Sequence, residues 1–230
     1  MAVGNKEKLI IIGDGETAEI AYEYFTEDSH YEIVAFSAER NFMKNKTLFG
    51  LPVIPFEEIE AVFDPKKCKA FVAVSFTQLN RVRTRLLAMV KEKGYSLCSY
   101  ISPRAVLGNN VEIGGNCFIF ENVNLQRAVK ISDNVTIWSG SSVGHHTVIR
   151  DNCFLASHVA VSGFCDVGEN CFLGVNCCTV GNVKIAKDCI IGAGAVIIGD
   201  TQEGRVYVGN PAKPLPNKKV SSFISGQEII

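Results

Sequence analysis

Two adjacent histidines are the residues of this sequence best suited to acid–base chemistry. The chain has four histidines, and the adjacent pair stands in the sequence Gly144-His145-His146. An imidazole titrates close to neutral pH, so it can take or give a proton under physiological conditions. We therefore take His145 and His146 as candidate catalytic residues. Because they are sequence neighbours, we expect their side chains to point to different sides.

A glycine-rich turn near the N-terminus has the composition of a phosphate-binding site. An apolar run at Lys8–Ile12 is followed by Gly13–Ala18, which reads GDGETA, and then by a helical stretch to Phe25. A first glycine permits a tight turn, and a second lets a phosphate approach the backbone at a helix N-terminus. The candidate ligand-binding residues of this turn are Gly13, Asp14, Gly15 and Glu16.

The rest of residues 1–98 continues the alternation of strands and helices. Apolar runs at 31–36 and 70–75, with a helical pattern over 80–93, predict a small Rossmann-like βαβ domain with a parallel sheet. A full NAD site needs an acidic residue at the end of the second strand, where Glu39 falls late. The domain is also short, so we expect it to bind one mononucleotide; a structural cap without a ligand is the alternative. Further candidate contacts are Ser37, Glu39, Arg40 and Asn80.

Residues 99–213 follow a six-residue repeat. Of the seventeen positions counted in sixes from Ile101 to Ile197, sixteen are aliphatic and Thr179 is the exception. The residue two before each is generally small or β-branched, and glycine often follows. So short a period is typical of a solenoid, whose coils bury their apolar sides only by stacking. Residues 214–230 form a polar tail broken by prolines.

Composition narrows the classes of function. The chain has 230 residues, a net charge of −1 and a pI near 6.4, which argues against nucleic acid as a partner. Its apolar runs are too short to span a membrane, and no signal-peptide segment is visible. We therefore expect a cytoplasmic protein of one large or two small domains.

Three features together resemble one known family. They are the small GxG domain, the six-residue repeat and the sequence VGNPAK at 208–213. This combination resembles the hexapeptide-repeat nucleotide-sugar acetyltransferases of bacterial surface-glycan (lipopolysaccharide and O-antigen) biosynthesis. The family includes the sialic-acid O-acetyltransferase-like and the bacillosamine-pathway N-acetyltransferases. The resemblance covers nearly the whole chain.

The resemblance implies a fold, an assembly and a reaction. The repeat would form a left-handed parallel β-helix in which three hexads make one triangular coil, and three chains would assemble. Acetyl-CoA would donate an acetyl group to the amine of a UDP- or dTDP-linked sugar. Sugar O-acetylation and a non-enzymatic trimeric structural module are the alternatives.

The family pattern also assigns roles to the histidine motif. His145 maps onto the family's general base. The acidic residue that usually orients this base is replaced by His146, and a second histidine found in many relatives is replaced by Phe154. Asp166 and Glu169, in the next coil, are candidates to replace the missing acid.

A column of glycines is expected beside the predicted base. Counting three hexads at a time from His145 leads to Gly163, then Gly181, then Gly199. Positions without side chains leave a groove for the pantetheine arm of coenzyme A, although corner turns are an alternative reason for glycine. The candidate cofactor-binding residues are His158, Gly163, Gly181, Ala193 and Lys213, the last near the 3′-phosphate. His158 has the alternative of a satisfied structural polar group.

The remaining expectations concern the state of the cysteines and the binding of a metal ion. Six of the nine cysteines share the repeat position two before the aliphatic residue: Cys117, Cys153, Cys165, Cys171, Cys177 and Cys189. There we expect them to be buried free thiols, with Cys153, Cys171 and Cys189 stacked in one column. The γ-class carbonic anhydrases share the β-helix, but their zinc needs about three histidine ligands. This chain has only four histidines, and one of them, His30, lies in the first domain away from the repeat. We expect no metal.

Overall fold

The computed structural model describes residues 6–224 and divides into two compact units. The first unit contains the residues up to Ser75 together with Arg83–Tyr100, and the second contains Phe76–Val82 together with the residues from Ile101 onward. Each unit has its own core and is described by itself.

The α/β part of the chain alternates strands with helices, as the sequence predicts. Its elements are β1 (Glu7–Ile12), α1 (Glu16–Asp28), β2 (Tyr31–Ala38), β3 (Thr47–Leu48), β4 (Leu51–Pro55), α2 (Ile59–Val62), β5 (Cys68–Val72), α3 (Arg81–Glu92) and β6 (Ser96–Leu97). Short 3₁₀ helices lie at Arg40–Phe42 and Phe56–Glu58.

These strands form one sheet of six in the order β3-β4-β2-β1-β5-β6. All neighbours are parallel except β3, which pairs antiparallel with β4. The residues Leu9–Ile12 of β1 are completely or almost completely buried, which is the pattern of a central strand in a parallel sheet covered on both faces. Helix α1 buries Ala18, Ala21 and Phe25. The Gly-rich turn therefore lies at the carboxyl end of a central strand, where open α/β sheets bind ligands.

The second unit is a left-handed parallel β-helix of very short strands. They are β7 (Tyr100–Ile101), β8 (Val106–Leu107), β9 (Glu112–Ile113), β10 (Phe118–Ile119), β11 (Asn124–Leu125), β12 (Lys130–Ile131), β13 (Thr136–Ile137), β14 (Ser142–Val143), β15 (Val148–Ile149), β16 (Phe154–Leu155), β17 (Ala160–Val161), β18 (Asp166–Val167), β19 (Phe172–Leu173), β20 (Cys178–Thr179), β21 (Lys184–Ile185), β22 (Ile190–Ile191) and β23 (Val196–Ile197). The last elements of the described residues are β24 (Arg205–Val208), β25 (Lys213–Lys219) and α4 (Val220–Ile224).

The strands stack in three flat sheets, which we call faces. Face 1 contains β8, β11, β14, β17, β20 and β23; face 2 contains β9, β12, β15, β18 and β21; face 3 contains β7, β10, β13, β16, β19, β22, β24 and β25. Each strand pairs in register with the strand three further along, so that Asn124 lies beside Ser142 and Lys130 beside Val148. One coil is therefore three hexads, as the resemblance implies.

Three corners connect the faces. Corner A follows face 1 and includes residues 126–128, 144–146, 162–164 and 180–182. Corner B follows face 2 and includes residues 132–134, 150–152, 168–170 and 186–188. Corner C follows face 3 and includes residues 138–140, 156–158, 174–176 and 192–194. The third residue of each corner has a positive φ, and asparagine, which tolerates this conformation, is the commonest occupant.

The interior of the β-helix is built from the two apolar positions of the repeat. The aliphatic residues and the small residues two before them form one continuous buried cluster. Thr179, the exception, is also buried: its Oγ1 accepts the Ser162 N–H at 3.0 Å, and its carbonyl accepts the Ser162 hydroxyl at 2.7 Å. The Thr179 hydroxyl thus accepts the Ser162 N–H. With an aliphatic residue at this position, that N–H would donate to the backbone carbonyl of the residue instead.

The nine cysteines all lie within residues 6–224 and are free thiols, eight of them buried. The predicted column is confirmed, because the Cys171 thiol interacts with those of both Cys153 and Cys189. Burial is the main reason why the pKa of Cys171 is well above its ordinary value.

The outer side of face 3 is covered within the second unit. Leu79, Phe154, Phe172, Val206 and Val220 belong to one buried apolar cluster there. An ion pair between Arg81 and Asp188 joins the same segment to corner B. The outer side of face 3 is therefore covered by residues of the same unit. The outward side chains of faces 1 and 2 have no such cover within the described part of the second unit. Among the described residues, no helix combines the length and the apolar character needed to cross a membrane.

Candidate functional site

The two adjacent histidines lie at corner A and contact each other. Their Nδ1 atoms are 3.3 Å apart, and their rings meet edge to face with centroids 5.4 Å apart. The expectation that the two side chains point to different sides is wrong. The physical reason is local: His146 has φ of +57°, in the left-handed region, so the alternation of side chains that holds along an extended strand does not apply at this corner.

Phe164, one coil beyond His146, contacts both imidazoles. Its ring stacks on His146 with centroids 5.0 Å apart and an interplanar angle of 13°. It also meets His145 edge to face at 4.9 Å. Phe164 has a positive φ and remains 55% exposed, so neither backbone preference nor burial in this chain explains an aromatic residue at this turn. Sequence reasoning missed Phe164, although its place three hexads after His146 was a usable signal.

The backbone of His145 is held from the preceding coil. Its N–H donates to Gln126 Oε1 at 3.0 Å, and the N–H of His146 donates to the carbonyl oxygen of Arg127 at 3.0 Å. Both imidazoles are exposed in the single chain. The pair is thus positioned by fixed backbone and by one aromatic ring, and remains accessible to a substrate.

The glycine column begins at the His145 ring. A Cβ atom on Gly163 would lie 2.9 Å from Cε1 and 3.0 Å from Nε2 of His145. A Cβ on Gly181 would approach only the Gly163 carbonyl oxygen, at 3.4 Å, and a Cβ on Gly199 would meet nothing within 4 Å. None of the three has a φ in the left-handed region; after Gly163 and Gly181 that conformation falls on the next residue, Phe164 or Asn182. Turn geometry therefore does not explain the column, and at Gly163 the imidazole does.

His158 and Ala193 lie at corner C, apart from His145. The His158 N–H donates to the Ser139 carbonyl oxygen at 3.1 Å, and the ring lies against Gly140, where a Cβ would be 2.5 Å from Cε1. Ala193 is exposed two coils further on. The predicted cofactor-binding residues of the β-helix thus fall on two corners, and face 1 lies between these corners.

The substitute acids suggested by the sequence do not take the expected place. Asp166 instead forms a bidentate ion pair with Arg150, with both N–O distances at 2.8 Å. Glu169 lies at corner B. The polar atom recorded beside His145 Nδ1 is the Nδ1 of His146. Phe154 belongs to the aromatic packing on face 3, where it stacks on Phe172.

The two glycines of the N-terminal turn differ in their surroundings. Gly13 has φ of +135°, and a Cβ there would lie 2.6 Å from the carbonyl oxygen of Ala73, so only glycine fits. A Cβ on Gly15 would meet only Lys44 Nζ, at 3.5 Å. Gly15 is the N-cap of α1 and provides no side-chain cap, so the first N–H groups of this 13-residue helix, which begins at Glu16, are open to an anion.

Asp14 brings a lysine to this turn. The nearly buried Asp14 carboxylate accepts the N–H groups of Lys44, at 2.6 Å, and Asn45, at 3.3 Å. The Lys44 side chain consequently lies over Gly15. Asp14 is thus a residue that positions a loop, and Lys44 is a cation beside the helix N-terminus. The sequence offered no signal for Lys44, which is 30 residues away from Asp14.

Ser37 is buried beside the turn and carries an unsatisfied hydroxyl. Its carbonyl oxygen accepts the Gly13 N–H at 2.6 Å, and within residues 6–224 its Oγ has no hydrogen-bond partner. A buried hydroxyl without a partner is uncommon and needs a reason, such as a ligand that supplies one.

Glu39 and Arg40 are engaged in ion pairs. Arg85 binds both carboxylate oxygens of Glu39 at 2.7 Å and holds the pKa of Glu39 below its usual range. The Arg40 guanidinium pairs with Glu58, and the backbone N–H of Arg40 donates to the Glu57 carboxylate. Asn80, the remaining candidate, is grouped with the second unit, where it is buried and its N–H donates to the Phe76 carbonyl oxygen at 3.0 Å.

A basic depression lies at the C-terminal end of the β-helix. Its volume is about 650 Å³, and its lining residues are Arg205, Pro216, Asn217, Lys218, Lys219, Ser221 and Ser222. Lys213 is exposed at the start of β25 but is not part of this lining. No group of three or more potential metal-ligating side chains occurs in residues 6–224.

Comparison with a family model decides what the repeat is. The model described as bacterial transferase hexapeptide, six repeats, matches residues 128–163. This segment of the chain is therefore similar to the hexapeptide repeats of bacterial transferases. The matched hexapeptide segment includes His145, His146, His158 and Gly163. No curated protein sequence shows significant similarity to the chain.

Solved structures share the fold of nearly the entire chain. PerB from Caulobacter crescentus, in complex with CoA and GDP-perosamine, is 27% identical; the match covers 91% of this chain and 97% of PerB, with a TM-score of 0.80. The acetyltransferase domain of PglB from Neisseria gonorrhoeae FA1090, in complex with acetyl coenzyme A, is 24% identical; the match covers 92% of this chain and all of that domain, with a TM-score of 0.82. WeeI from Acinetobacter baumannii AYE is 20% identical, with coverage of 90% and 99% and a TM-score of 0.67.

Proposed function

We propose that this protein is an acetyl-CoA-dependent N-acetyltransferase that acts on a nucleotide-linked amino sugar, a precursor of surface glycans. The observation that carries the proposal is the exposed His145 imidazole at corner A, which lies at the start of a column without side chains. An imidazole next to a narrow open groove suits proton transfer during attack on a thioester that arrives along the groove. The likeness to PerB, which holds CoA and GDP-perosamine, supports the same reading over 91% of the chain.

The reaction needs one proton acceptor and no covalent enzyme intermediate. The neutral sugar amine attacks the carbonyl carbon of the thioester, and the N–C bond forms. His145 Nε2 takes a proton from the attacking nitrogen. The tetrahedral intermediate then collapses, the C–S bond breaks, and the leaving thiolate takes the proton from the imidazolium. The products are the N-acetyl sugar and CoA, and His145 returns to its neutral state.

The α/β unit supplies the nucleotide site in this proposal. The open N–H groups at the start of α1 and the ammonium group of Lys44 together suit a diphosphate, which is an anion with many acceptor oxygens. Ser37 is fully buried and supports the turn through its carbonyl oxygen, which accepts the Gly13 N–H. Gly13 and Asp14 shape the turn and the loop, and Glu16 begins the helix. Glu39 and Arg40 hold loops through ion pairs, so we assign them a supporting role.

The acetyl-CoA site uses the glycine column in this proposal. Gly163 and Gly181 line the groove, and Lys213 together with the basic depression around Arg205 supplies positive charge at the end of the β-helix. His158 and Ala193 belong to the site only if corner C of one chain meets corner A of another.

A trimer would bring these two corners together. Face 1 lies between corners C and A, and its outward residues carry no charge: Val106, Asn124, Ser142, Ala160, Cys178 and Val196. Face 2 instead carries ion pairs, and face 3 is covered. If three copies of face 1 pack around a threefold axis, corner A of each chain lies next to corner C of its neighbour.

Product analysis tests the proposal. Purified protein is incubated with acetyl-CoA and UDP-, dTDP- and GDP-linked amino sugars, including GDP-perosamine, and the products are identified by mass spectrometry. We expect a mass gain of one acetyl group on the amine of at least one sugar. His145→Ala should lower kcat by about 10²–10⁴-fold with little change in KM. Absence of any acetylated amino sugar, or activity of His145→Ala within threefold of the unmodified protein, would contradict it.

A further inference from the structure

The side chain of His145 contacts His146 and not one of the acidic residues that the sequence suggested as its partner. The His145 Nδ1 atom lies 3.3 Å from His146 Nδ1, while Asp166 is bound to Arg150. Two imidazole nitrogens at this separation are compatible with a hydrogen bond only if one donates and the other accepts. The contact therefore fixes a relation between the two tautomers.

We infer that His146 is a positioning residue whose Nδ1 accepts the Nδ1 proton of His145 and so keeps the His145 Nε2 atom unprotonated. In this arrangement His146 is the neutral tautomer that carries its proton on Nε2. The inference rests on the proposed function for its catalytic meaning, because an unprotonated Nε2 is what a general base requires. The tautomer itself is a property of the free protein.

The geometry of His146 indicates that its position is specified. In the described residues, corner A places Asn110, Ala128, His146, Phe164 and Asn182 at the same left-handed turn position. Histidine gains nothing over asparagine there in backbone energy, so the reason for it must be its side chain.

Phe164 and Gln126 hold the pair together. The Phe164 ring stacks on His146 at 5.0 Å and abuts His145 at 4.9 Å, which restricts the rotation of both imidazoles. Gln126 Oε1 accepts the His145 N–H at 3.0 Å and fixes the backbone. Gly163 leaves the space in which the His145 ring lies. Three neighbours thus determine where the two imidazoles meet.

Comparison with an acid partner gives the chemical consequence. A carboxylate would orient His145 and would also stabilise its cationic form by its charge. A neutral imidazole orients the ring and fixes the tautomer by hydrogen bonding alone. His146 therefore orients the His145 ring without adding a negative charge that would stabilise the imidazolium.

The experiment is a measurement of the His145 tautomer by two-bond ¹H–¹⁵N NMR on ¹⁵N-histidine-labelled protein without substrates. We expect the neutral form of His145 to carry its proton on Nδ1. In His146→Ala, the Nε2–H tautomer should become populated, and kcat should fall by about tenfold to a hundredfold with KM unchanged. Alanine fits this turn, because Ala128 has φ of +57° one coil earlier. Asn110→Ala makes the same change at the same turn position two coils earlier and should alter neither the tautomer nor kcat.

Variants of Phe164 test the clamp. Phe164→Leu should mix the tautomers of His145 and lower kcat, whereas Phe164→Tyr should retain both wild-type properties because it keeps the stacked ring. A protein in which His145 is protonated on Nε2, or whose tautomer does not respond to His146→Ala, would overturn the inference even if acetyl transfer is found. Failure to find acetyl transfer with an Nδ1–H tautomer that responds would contradict the proposed function and leave the imidazole contact in place.

Discussion

The spacing between the His145 ring and the next coil depends on a single missing atom. Gly163 lies directly against the imidazole, where a Cβ would come within 2.9 Å of Cε1. Such an approach is too short for van der Waals contact, so an added methyl group must displace the ring. At Gly181 the same addition makes an ordinary contact of 3.4 Å with backbone. In the proposed function the two glycines of this column therefore have different tasks, one beside the proposed base and one along the proposed groove.

We predict that Gly163→Ala and Gly181→Ala change different kinetic constants. Gly163→Ala should lower kcat about tenfold or more, because the general base is displaced from the reacting nitrogen. Gly181→Ala should leave kcat unchanged and raise KM for acetyl-CoA, because it narrows only the groove. Steady-state kinetics with both substrates varied provides the measurement. If the two variants reduce kcat equally, the column does not have the two roles assigned to it.

Among the elements, the loop after β2 takes its position from one carboxylate. Asp14 accepts two backbone N–H groups of the loop, and Lys44 consequently reaches the N-terminus of α1. An ammonium group adds to the partial positive charge of the helix end, so the two together favour a phosphate.

We predict that Lys44→Met raises KM for the nucleotide sugar by about tenfold, which corresponds to about 1.4 kcal/mol, and leaves KM for acetyl-CoA unchanged. Lys46→Met is the matched control: Lys46 is exposed in the same loop, and its recorded contact is through its backbone carbonyl with the Val53 N–H. The control should behave like the unmodified protein. An equal rise in KM for both lysine variants would point to general loss of positive charge instead of a specific contact.

Buried thiols in both units make the stability of the folded protein depend on pH in the alkaline range. Burial raises the pKa of Cys98 and of Cys177 to about 12, compared with 9.0 for an unperturbed thiol. A folded pKa above the unfolded one means that this contribution to stability is complete below about pH 9 and is lost as the pH rises toward 12.

We predict a loss of about 1 kcal/mol in the free energy of unfolding between pH 9 and pH 10 for each of these two thiols. The measurement is urea unfolding at both pH values. Cys98→Ala should reduce the pH-dependent difference by the share of Cys98, whatever its effect on stability at pH 8. An unchanged difference in Cys98→Ala would show that this thiol ionises equally well in the folded protein.

At the scale of the molecule, the three faces of the β-helix differ in what covers them. Face 3 is covered by apolar residues of its own unit, and face 2 displays ion pairs such as Lys130–Glu112. Face 1 presents small uncharged side chains, and corner A beside it exposes Phe164, Val180 and Ile198. This distribution favours face 1 as the surface between chains.

We predict a particle in solution of about three times the 25.1 kDa chain mass by light scattering. Ala160→Arg, in the middle of face 1, should dissociate it and abolish activity, because a buried unpaired charge is costly and the site needs both corners. Val148→Arg makes the same kind of change on face 2 and should leave assembly and activity intact. A stable monomer at micromolar concentration would refute the proposed trimer.

The six-residue period indicated a stacked solenoid and its apolar core, and the resemblance to a known family supplied the β-helix and its coil of three hexads. A period of six is a local property, and any chain that buries one aliphatic and one small residue per hexad must stack its coils to do so. Once that coil length was given, the column of Cys153, Cys171 and Cys189 and the position of Gly163 next to His145 followed from counting along the sequence. The Gly-rich turn of the α/β unit was also readable, because glycine reports a backbone requirement at its own position.

Which outward side chains contact each other depends on the folded arrangement of the chain. Lys44 reaches Gly15 through a loop whose position depends on Asp14, and Glu39 is bound by Arg85, 46 residues away. The contact between His145 and His146 depends on a left-handed φ that propensity assigns to asparagine or glycine, and on an aromatic ring one coil further on. Periodicity specifies the backbone path and the inward positions, because burial repeats with the coil. Outward side chains at the corners are free of that repeat, so their partners depend on distances that exist only once the coils have stacked.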